Sequence, residues 1–161
     1  MESALEKRIT VLEDIEAIKK LKSIYCDLVD GGINGDMSKI DEFITYFIDD
    51  AWIDFGRIVE ISVHRGKEAV TKFYKEGVCG LLSQAEHLVV NPIIDVDGDE
   101  AKGRWYVIVP CTVRETNSAS WLFGKYEEEY VRIEGEWKWR SIIFRAKFLS
   151  AYEGEGWAKG N

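Results

Sequence analysis

The stretch SWLFGKYEEEYVRIEGEWKWRSIIFRAKFL, residues 120–149, decides the fold of this chain. Its two halves are rich in aromatic and β-branched residues that alternate with charged ones, and the acidic turn EGE joins them. Alternation with a period of two is typical of strands that have one buried face and one exposed face. The segment therefore predicts two long antiparallel strands.

Two segments that precede it continue the same pattern. They are HLVVNPIIDV at 87–96 and AKGRWYVIVPCTV at 101–113, and the acidic turn DGDE separates them. Together the four strands predict an antiparallel meander. A shorter pair, AWIDFG and IVEISVH within residues 51–64, predicts a small hairpin that turns at Gly56-Arg57.

The N-terminal part of the chain has helical spacing instead. Apolar residues recur every three or four positions up to Leu28, which predicts a long helix that ends at Gly31-Gly32. Residues 36–48 predict a second helix, and residues 66–82 predict a third. Three N-terminal helices and a curved sheet define an α+β fold. We expect a cone-shaped α+β barrel in which the helices pack on an antiparallel sheet and enclose an apolar pocket.

Length and charge limit the classes of protein to consider. With 161 residues the chain fits a single domain, which we expect over 1–152, followed by a flexible C-terminal tail over 153–161. The formal net charge of -8 disfavours nucleic acid and anionic membranes as partners. The sequence has neither a run of about 18 apolar residues nor a signal peptide, so we expect a cytoplasmic protein.

Motifs for metals and cofactors are missing from the sequence. The three cysteines are scattered with no CxxC pair, and the acidic runs lack the spacing of a calcium-binding loop. A phosphate-binding glycine loop, a nucleophile elbow and an HExxH motif are also missing. The sequence therefore predicts neither a metal nor a cofactor.

Asp30 and His87 are the polar residues best placed for chemistry. Asp30 follows the apolar end of the first helix, and His87 opens the first long strand. A histidine accepts a proton near neutral pH, and a carboxylate bonded to its other nitrogen fixes the tautomer and stabilises the imidazolium. Composition alone favours a simpler interpretation, in which His87 is a strand histidine that bonds to the backbone.

Four segments together resemble the SnoaL-like branch of the NTF2-like superfamily. They are DIEAIKKLKSIYCDLVDGG (14–32), HRGKEAVTKFY (64–74), GRWYV (103–107) and KYEEEYVRIEGEWKWRSIIFR (125–145). Within that branch the chain is most similar to the group of scytalone dehydratase, the bile-acid 7α-dehydratases and the hexachlorocyclohexane dehydrochlorinases. For this group the resemblance implies a His-Asp pair that removes a proton from the substrate.

The resemblance also assigns the site residues. It implies His87 and Asp30 as the general base, Tyr25 five residues before Asp30, and Arg145 on the last strand. It implies a dehydratase-like lyase without a cofactor, a small hydrophobic, alicyclic or aromatic substrate, and a homo-oligomer such as a trimer. The alternatives are an isomerase or cyclase of the same fold, or a non-catalytic ligand-binding or assembly module.

Two other positions bear on this assignment. The bile-acid enzymes have an aspartate six residues beyond the glycine of GRWY, and this chain departs from them with Val109. Arg145 lies among aromatic residues, where it either pairs with a carboxylate such as Glu128 or binds an oxygen of the substrate. Glu128 shares one strand face with Tyr126 and Tyr130, so we expect it to have an ion-pair partner.

Overall fold

The computed structural model describes residues 3–56 and 63–155 and confirms the α+β cone. Within these ranges the helices are α1 (Ala4–Ile33), α2 (Met37–Ile44), α3 (Lys67–Lys72) and α4 (Cys79–Leu81), with a π-helical segment (Phe73–Val78) between the last two. The strands are β1 (Phe47–Asp54), β2 (Val63–Arg65), β3 (Leu82–Ala85), β4 (Leu88–Asp97), β5 (Glu100–Val113), β6 (Ser118–Ile133) and β7 (Glu136–Glu155).

The strands form one curved, unclosed sheet. Their order is β2-β1-β7-β6-β5-β3, and β4 also pairs with β5. Strands β4 to β7 form the antiparallel meander that the sequence predicts. The sheet as a whole is mixed rather than antiparallel, because β1 runs parallel to β7. β1 follows the two N-terminal helices and pairs with the last strand of the chain, so no tight turn fixes its direction.

Helix α1 does not end at Gly31-Gly32 but continues to Ile33. A β-carbon at Gly32 would overlap the side chain of Ile40 in α2. The glycine therefore permits the close approach of two helices rather than ending the first one. Asn34 caps the helix, and its backbone N–H donates to carbonyl oxygens of the last turn.

The second and third helices are shorter than their apolar spacing indicates. α2 ends at Ile44, and β1 begins at Phe47. The helical region expected over 66–82 ends at Leu81, and Leu82 already belongs to β3. A short apolar run is compatible with a helix or with a strand. Here the run forms a strand because a neighbouring strand supplies the hydrogen-bond partners.

The small hairpin forms as expected where the structure describes it. β1 and β2 pair antiparallel, with Trp52 opposite Arg65. The predicted turn at Gly56-Arg57 and the first part of the second strand extend into residues 57–62, which lie outside the described ranges. At the C-terminus, β7 pairs as far as Glu155, and the rest of the expected tail, 156–161, also lies outside them.

Helix α1 contacts the sheet along its C-terminal half, where its apolar stripe is buried. Two ion pairs connect it to β6. Asp14 accepts two hydrogen bonds from the Arg132 guanidinium at 2.6 and 3.1 Å, and the Lys22 ammonium lies 2.5 Å from the Glu128 carboxylate. The helix is thereby fixed against one strand at two points eight residues apart. None of the described helices is long and apolar enough to cross a membrane.

Candidate active site

His87 lies at an interruption along one edge of β5. Strand β3 pairs with β5 up to Ala85, and β4 resumes the pairing at Leu88. His87 belongs to neither strand, and its backbone N–H donates to the Asp30 carboxylate over 2.8 Å. The break in the edge therefore frees the backbone of His87 to bind α1 instead of the sheet.

Asp30 and His87 are brought together as the sequence predicts. One carboxylate oxygen of Asp30 accepts the backbone N–H of His87, and the other lies 2.5 Å from His87 Nδ1. Their side chains are only 11% and 7% exposed, so water competes little for this contact. A carboxylate at Nδ1 favours the tautomer that is protonated there, and Nε2 then keeps a lone pair that can accept a proton.

Tyr25 is the third predicted residue at this place. Its ring is edge-on to the His87 ring, with the centroids 5.6 Å apart, and its hydroxyl hydrogen-bonds to that of Tyr126 over 2.9 Å. Burial raises the pKa of both phenols well above the ordinary value, so both stay protonated. The hydroxyl of Tyr74, also buried, interacts with that of Tyr25 and raises its pKa further. Tyr25 and Asp30 both project from α1, which stays helical between the two residues.

An apolar cavity of about 50 Å³ lies beside these residues. Its polar lining consists of His87, Tyr25 and Tyr126, and its apolar lining includes Val109, the position at which the bile-acid enzymes have aspartate. Leu81, which also lines the cavity, is 41% exposed and marks its open side. Ligand pockets usually have at least about 300 Å³, so side chains fill most of the space in this conformation.

Arg145 does not join the other predicted residues. It is adjacent on β7 to Phe144, which lines the cavity, so its side chain points to the opposite face of the sheet. Its guanidinium donates to Asp54 over 2.9 Å, and half of the side chain is exposed. The suggested pairing of Arg145 with Glu128 is therefore wrong, because Arg145 pairs with Asp54 on the outer face and Glu128 is buried on the inner face.

Glu128 does have an ion-pair partner, and that partner is Lys22. Both side chains are almost fully buried, at 2% exposure for Lys22 and 0% for Glu128. Desolvation lowers the pKa of Lys22, and the charge of Glu128 opposes that shift. The sequence analysis missed Lys22, although its place on the apolar stripe of α1, between Leu21 and Tyr25, was an available signal.

The arrangement places a proton acceptor and a hydrogen-bond donor at one apolar cavity. His87 Nε2 can accept a proton, and the phenol O–H groups of Tyr25 and Tyr126 are hydrogen-bond donors. Within residues 3–56 and 63–155, no three His, Cys, Asp or Glu side chains are grouped to hold a metal ion. What the described side chains offer at this cavity is acid-base chemistry.

Comparison with known proteins places the chain in a family. A family model described as a SnoaL-like domain matches residues 10–142. Since the match spans most of the chain, the protein belongs to the SnoaL-like family, which confirms the resemblance found in the sequence. A search of curated proteins found no match.

Solved structures share the fold at low sequence identity. A hexachlorocyclohexane dehydrochlorinase from Novosphingobium barchaimii superposes with a TM-score of 0.81 at 20% identity, over 95% of this chain and 99% of that chain. A protein from Novosphingobium aromaticivorans assigned as a scytalone dehydratase gives 0.76 at 21% identity, over 92% and 94%. Another from that organism, assigned as an aromatic ring hydroxylase, gives 0.72 at 26% identity, over 88% and 94%.

Proposed function

We propose that this protein is a cofactor-independent, dehydratase-like lyase in which His87, oriented by Asp30, abstracts a proton from a cyclic hydrophobic small molecule. The observation that carries the proposal is the two-point contact of Asp30 with His87 beside an apolar cavity. Family membership and neighbours named as a dehydrochlorinase and a dehydratase support it.

The proposed step is an elimination. His87 Nε2 takes a proton from a ring carbon, the electron pair of the broken C–H bond forms a C=C bond, and the leaving group departs from the next carbon with its bonding electrons. A leaving hydroxide takes up a proton from the imidazolium and leaves as water, whereas a halide leaves as the anion and the proton passes to solvent. General-base catalysis contributes roughly 10²–10⁴-fold to such a rate, and positioning in the cavity supplies the rest.

Tyr25 has the second role in this proposal. Through its pair with Tyr126 it donates a hydrogen bond to a polar atom of the substrate, either on the leaving group or elsewhere on the ring. No step is assigned to Arg145, because its guanidinium is bound to Asp54 on the outer face.

A ring substrate requires the cavity to widen from about 50 Å³. Phe73 lies in the π-helical segment and Leu81 in α4, and both line the cavity. π-Helical turns are frequent at functional sites. We expect rotation of these side chains, rather than movement of the sheet, to admit a substrate.

The test is a hydrogen-exchange and elimination assay in D₂O. Cyclic β-hydroxyketones and γ-hexachlorocyclohexane are incubated with the protein, and NMR follows both deuterium uptake at the ring carbon and formation of the alkene. We expect His87→Gln to lower the rate by roughly 10²–10⁴-fold. Lys7→Met, on the exposed N-terminal part of α1, serves as the control and should keep the wild-type rate. Equal rates for wild type and His87→Gln would exclude His87 as the base.

The same assay separates the alternatives. Deuterium uptake without elimination indicates an isomerase or cyclase that uses the same base. Ligand binding with neither exchange nor elimination indicates a non-catalytic binding module. No binding at all indicates an assembly module, which a cavity filled by side chains favours.

The proposal includes a homo-oligomer that assembles through the outer face of the sheet. This face exposes large apolar side chains, among them Leu88, Ile93 and Phe148, each about half exposed. Exposed apolar clusters of this kind often mark protein interfaces. We expect light scattering to give a mass of more than one chain, and a trimer if the family resemblance extends to assembly.

A further inference from the structure

The N-terminal part of α1 is an exposed helix. Every residue from 3 to 13 is exposed to solvent, and the first buried residue is Asp14. The segment is nonetheless helical, and a capping box begins it: the Glu6 carboxylate accepts the backbone N–H of Ser3 over 2.6 Å, and Ser3 Oγ accepts that of Glu6 over 3.2 Å. At a rise of 1.5 Å per residue, residues 4–13 form a helix about 15 Å long.

Three large apolar side chains form a stripe along one face of this exposed helix. Leu5 and Leu12 are each 63% exposed, and Ile9 is 45% exposed. Each of them precedes by nine residues a buried residue of α1, and these buried residues are Asp14, Ile18 and Leu21. Nine residues make two and a half turns, so the stripe points away from the buried side of α1 and from the sheet. The sheet of the same chain therefore does not cover the stripe.

The spacing of the stripe is that of a coiled-coil seam. Intervals of four and three residues place Leu5, Ile9 and Leu12 at positions d, a and d of a heptad repeat. Isoleucine at a and leucine at d favour two parallel strands. The next a position is Glu16, which forms an ion pair with Lys19 at 2.6 Å and ends the seam.

The charged residues beside the seam favour one orientation of two such helices. In this heptad Arg8 is at position g, and Glu6 and Glu13 are at position e. In a parallel pair, g of one helix faces the e position five residues later on the other, so Arg8 faces Glu13 on both sides of the seam. In an antiparallel pair the e positions face each other, and Glu6 would repel Glu13. The segment is therefore complementary in charge to a parallel copy of itself.

We propose that residues 4–13 are a self-association surface, which binds the same segment of a second copy of this chain as a parallel two-stranded coiled coil. The family model begins at residue 10, so Leu5 and Ile9 lie outside the part of the chain that it matches. The pairing is independent of proton abstraction by His87 and of assembly through the outer face of the sheet. The seam has only three apolar layers, so the pair is weak and reversible.

A weak pair is best tested by trapping it as a disulfide. Leu12→Cys is equilibrated in a glutathione redox buffer, and non-reducing electrophoresis measures the disulfide-linked dimer. We expect a dimer to form, because equivalent d positions face each other in a parallel pair. Lys7→Cys, at position f on the opposite side of the same helix, is the matched control and should give roughly tenfold less dimer, since its thiols lie too far apart. Equal yields at the two positions would overturn the inference.

The native chain, treated in the same way, gives the background from its own three cysteines, which are buried or partly buried. All substitutions of this test fall on exposed residues of the helix, so each variant should fold as the wild type does, which circular dichroism checks.

Charge variants test the orientation and the identity of the partner together. Arg8→Glu and Glu13→Arg are each combined with Leu12→Cys and then mixed. Each variant paired with itself carries like charges beside the seam, whereas the mixed pair has opposite charges on both sides. We expect the mixed disulfide to exceed each of the other two by about tenfold at low salt, and the preference to disappear in about 1 M salt. Random mixing at low salt would overturn the inference.

Discussion

A lysine ammonium lies over tyrosine rings at two places in the molecule, one on the surface and one in the interior. On the outer face of the sheet, Lys125 Nζ is 4.4 Å from the ring centroid of its cross-strand neighbour Tyr106. In the interior, Lys22 contacts Tyr25 and Tyr126 at similar distances. The hydrogen bond and the charge of Lys125 lower the pKa of Tyr106, whereas burial raises the pKa of the two interior phenols.

The difference shows that solvation, and not the lysine contact, decides the protonation of these tyrosines. Tyr106 is 46% exposed, so water solvates its tyrosinate and the nearby cation stabilises it further. Tyr25 and Tyr126 are at most 2% exposed, and no water offsets the cost of a charge there. The two interior phenols therefore stay protonated at pH values at which Tyr106 has already ionised.

Replacement of the interior lysine, Lys22, should have the largest effect on the free energy of unfolding. Lys22→Met leaves the Glu128 carboxylate buried without its counter-ion, a change that should cost about 3–5 kcal/mol of unfolding free energy. Lys125→Met removes an exposed contact and should change it by less than about 0.5 kcal/mol. Urea denaturation followed by tryptophan fluorescence measures both. Similar losses for both variants would contradict the assignment of Lys22 to a water-free environment.

The helices and strands show how much of the fold could be predicted from the sequence. Period-two alternation predicted the meander of β4 to β7 correctly, because long strands with one buried face leave an unambiguous pattern. The ends of α2 and of the third helical region were misplaced, since apolar runs near Phe47 and Leu82 suit a helix or a strand and only the partner strand decides. The parallel pairing of β1 with β7 leaves no local trace in the sequence.

In the candidate site, too, some residues could be predicted from the sequence and others could not. Family resemblance predicted Asp30, His87 and Tyr25 as site residues, and the structure places the three side chains next to one another. Arg145 lies on the opposite face, which strand alternation from Phe144 could have indicated once the inward face was known. Lys22 was missed because a lysine on an apolar stripe usually extends its charge to water, and only the position of Glu128 on β6 shows that this one does not.

A smaller effect should follow when both members of the interior pair are changed. Lys22→Met/Glu128→Gln removes the two charges together and retains an acceptor for Trp139, so we expect an unfolding free energy within about 1 kcal/mol of wild type. The rescue of Lys22→Met by the second change measures the coupling between the two residues. If the double variant is as unstable as Lys22→Met, the loss arises from packing of the lysine stem and not from an unpaired charge.

The smallest expected effect is on the pH at which the exposed Tyr106 and the buried tyrosines ionise. Absorbance near 295 nm reports tyrosinate, and on raising the pH we expect Tyr106 to ionise first, below its ordinary pKa of about 10. Tyr106→Phe should remove that first step and leave stability unchanged. Tyr25, Tyr74, Tyr126 and Tyr130 have raised pKa values caused by burial, so they should ionise only when the chain unfolds.

The sign of the linked stability follows from the same shifts. For these four buried tyrosines the folded pKa lies above the unfolded value, so the unfolded chain releases their protons first as the pH rises above about 10. Their contribution to stability is complete below that pH and is lost above it. The late tyrosinate signal should therefore coincide with loss of helical circular dichroism. Four tyrosinates that appear while the circular dichroism is still native would show that water reaches the interior pair, and the comparison with Tyr106 would fail.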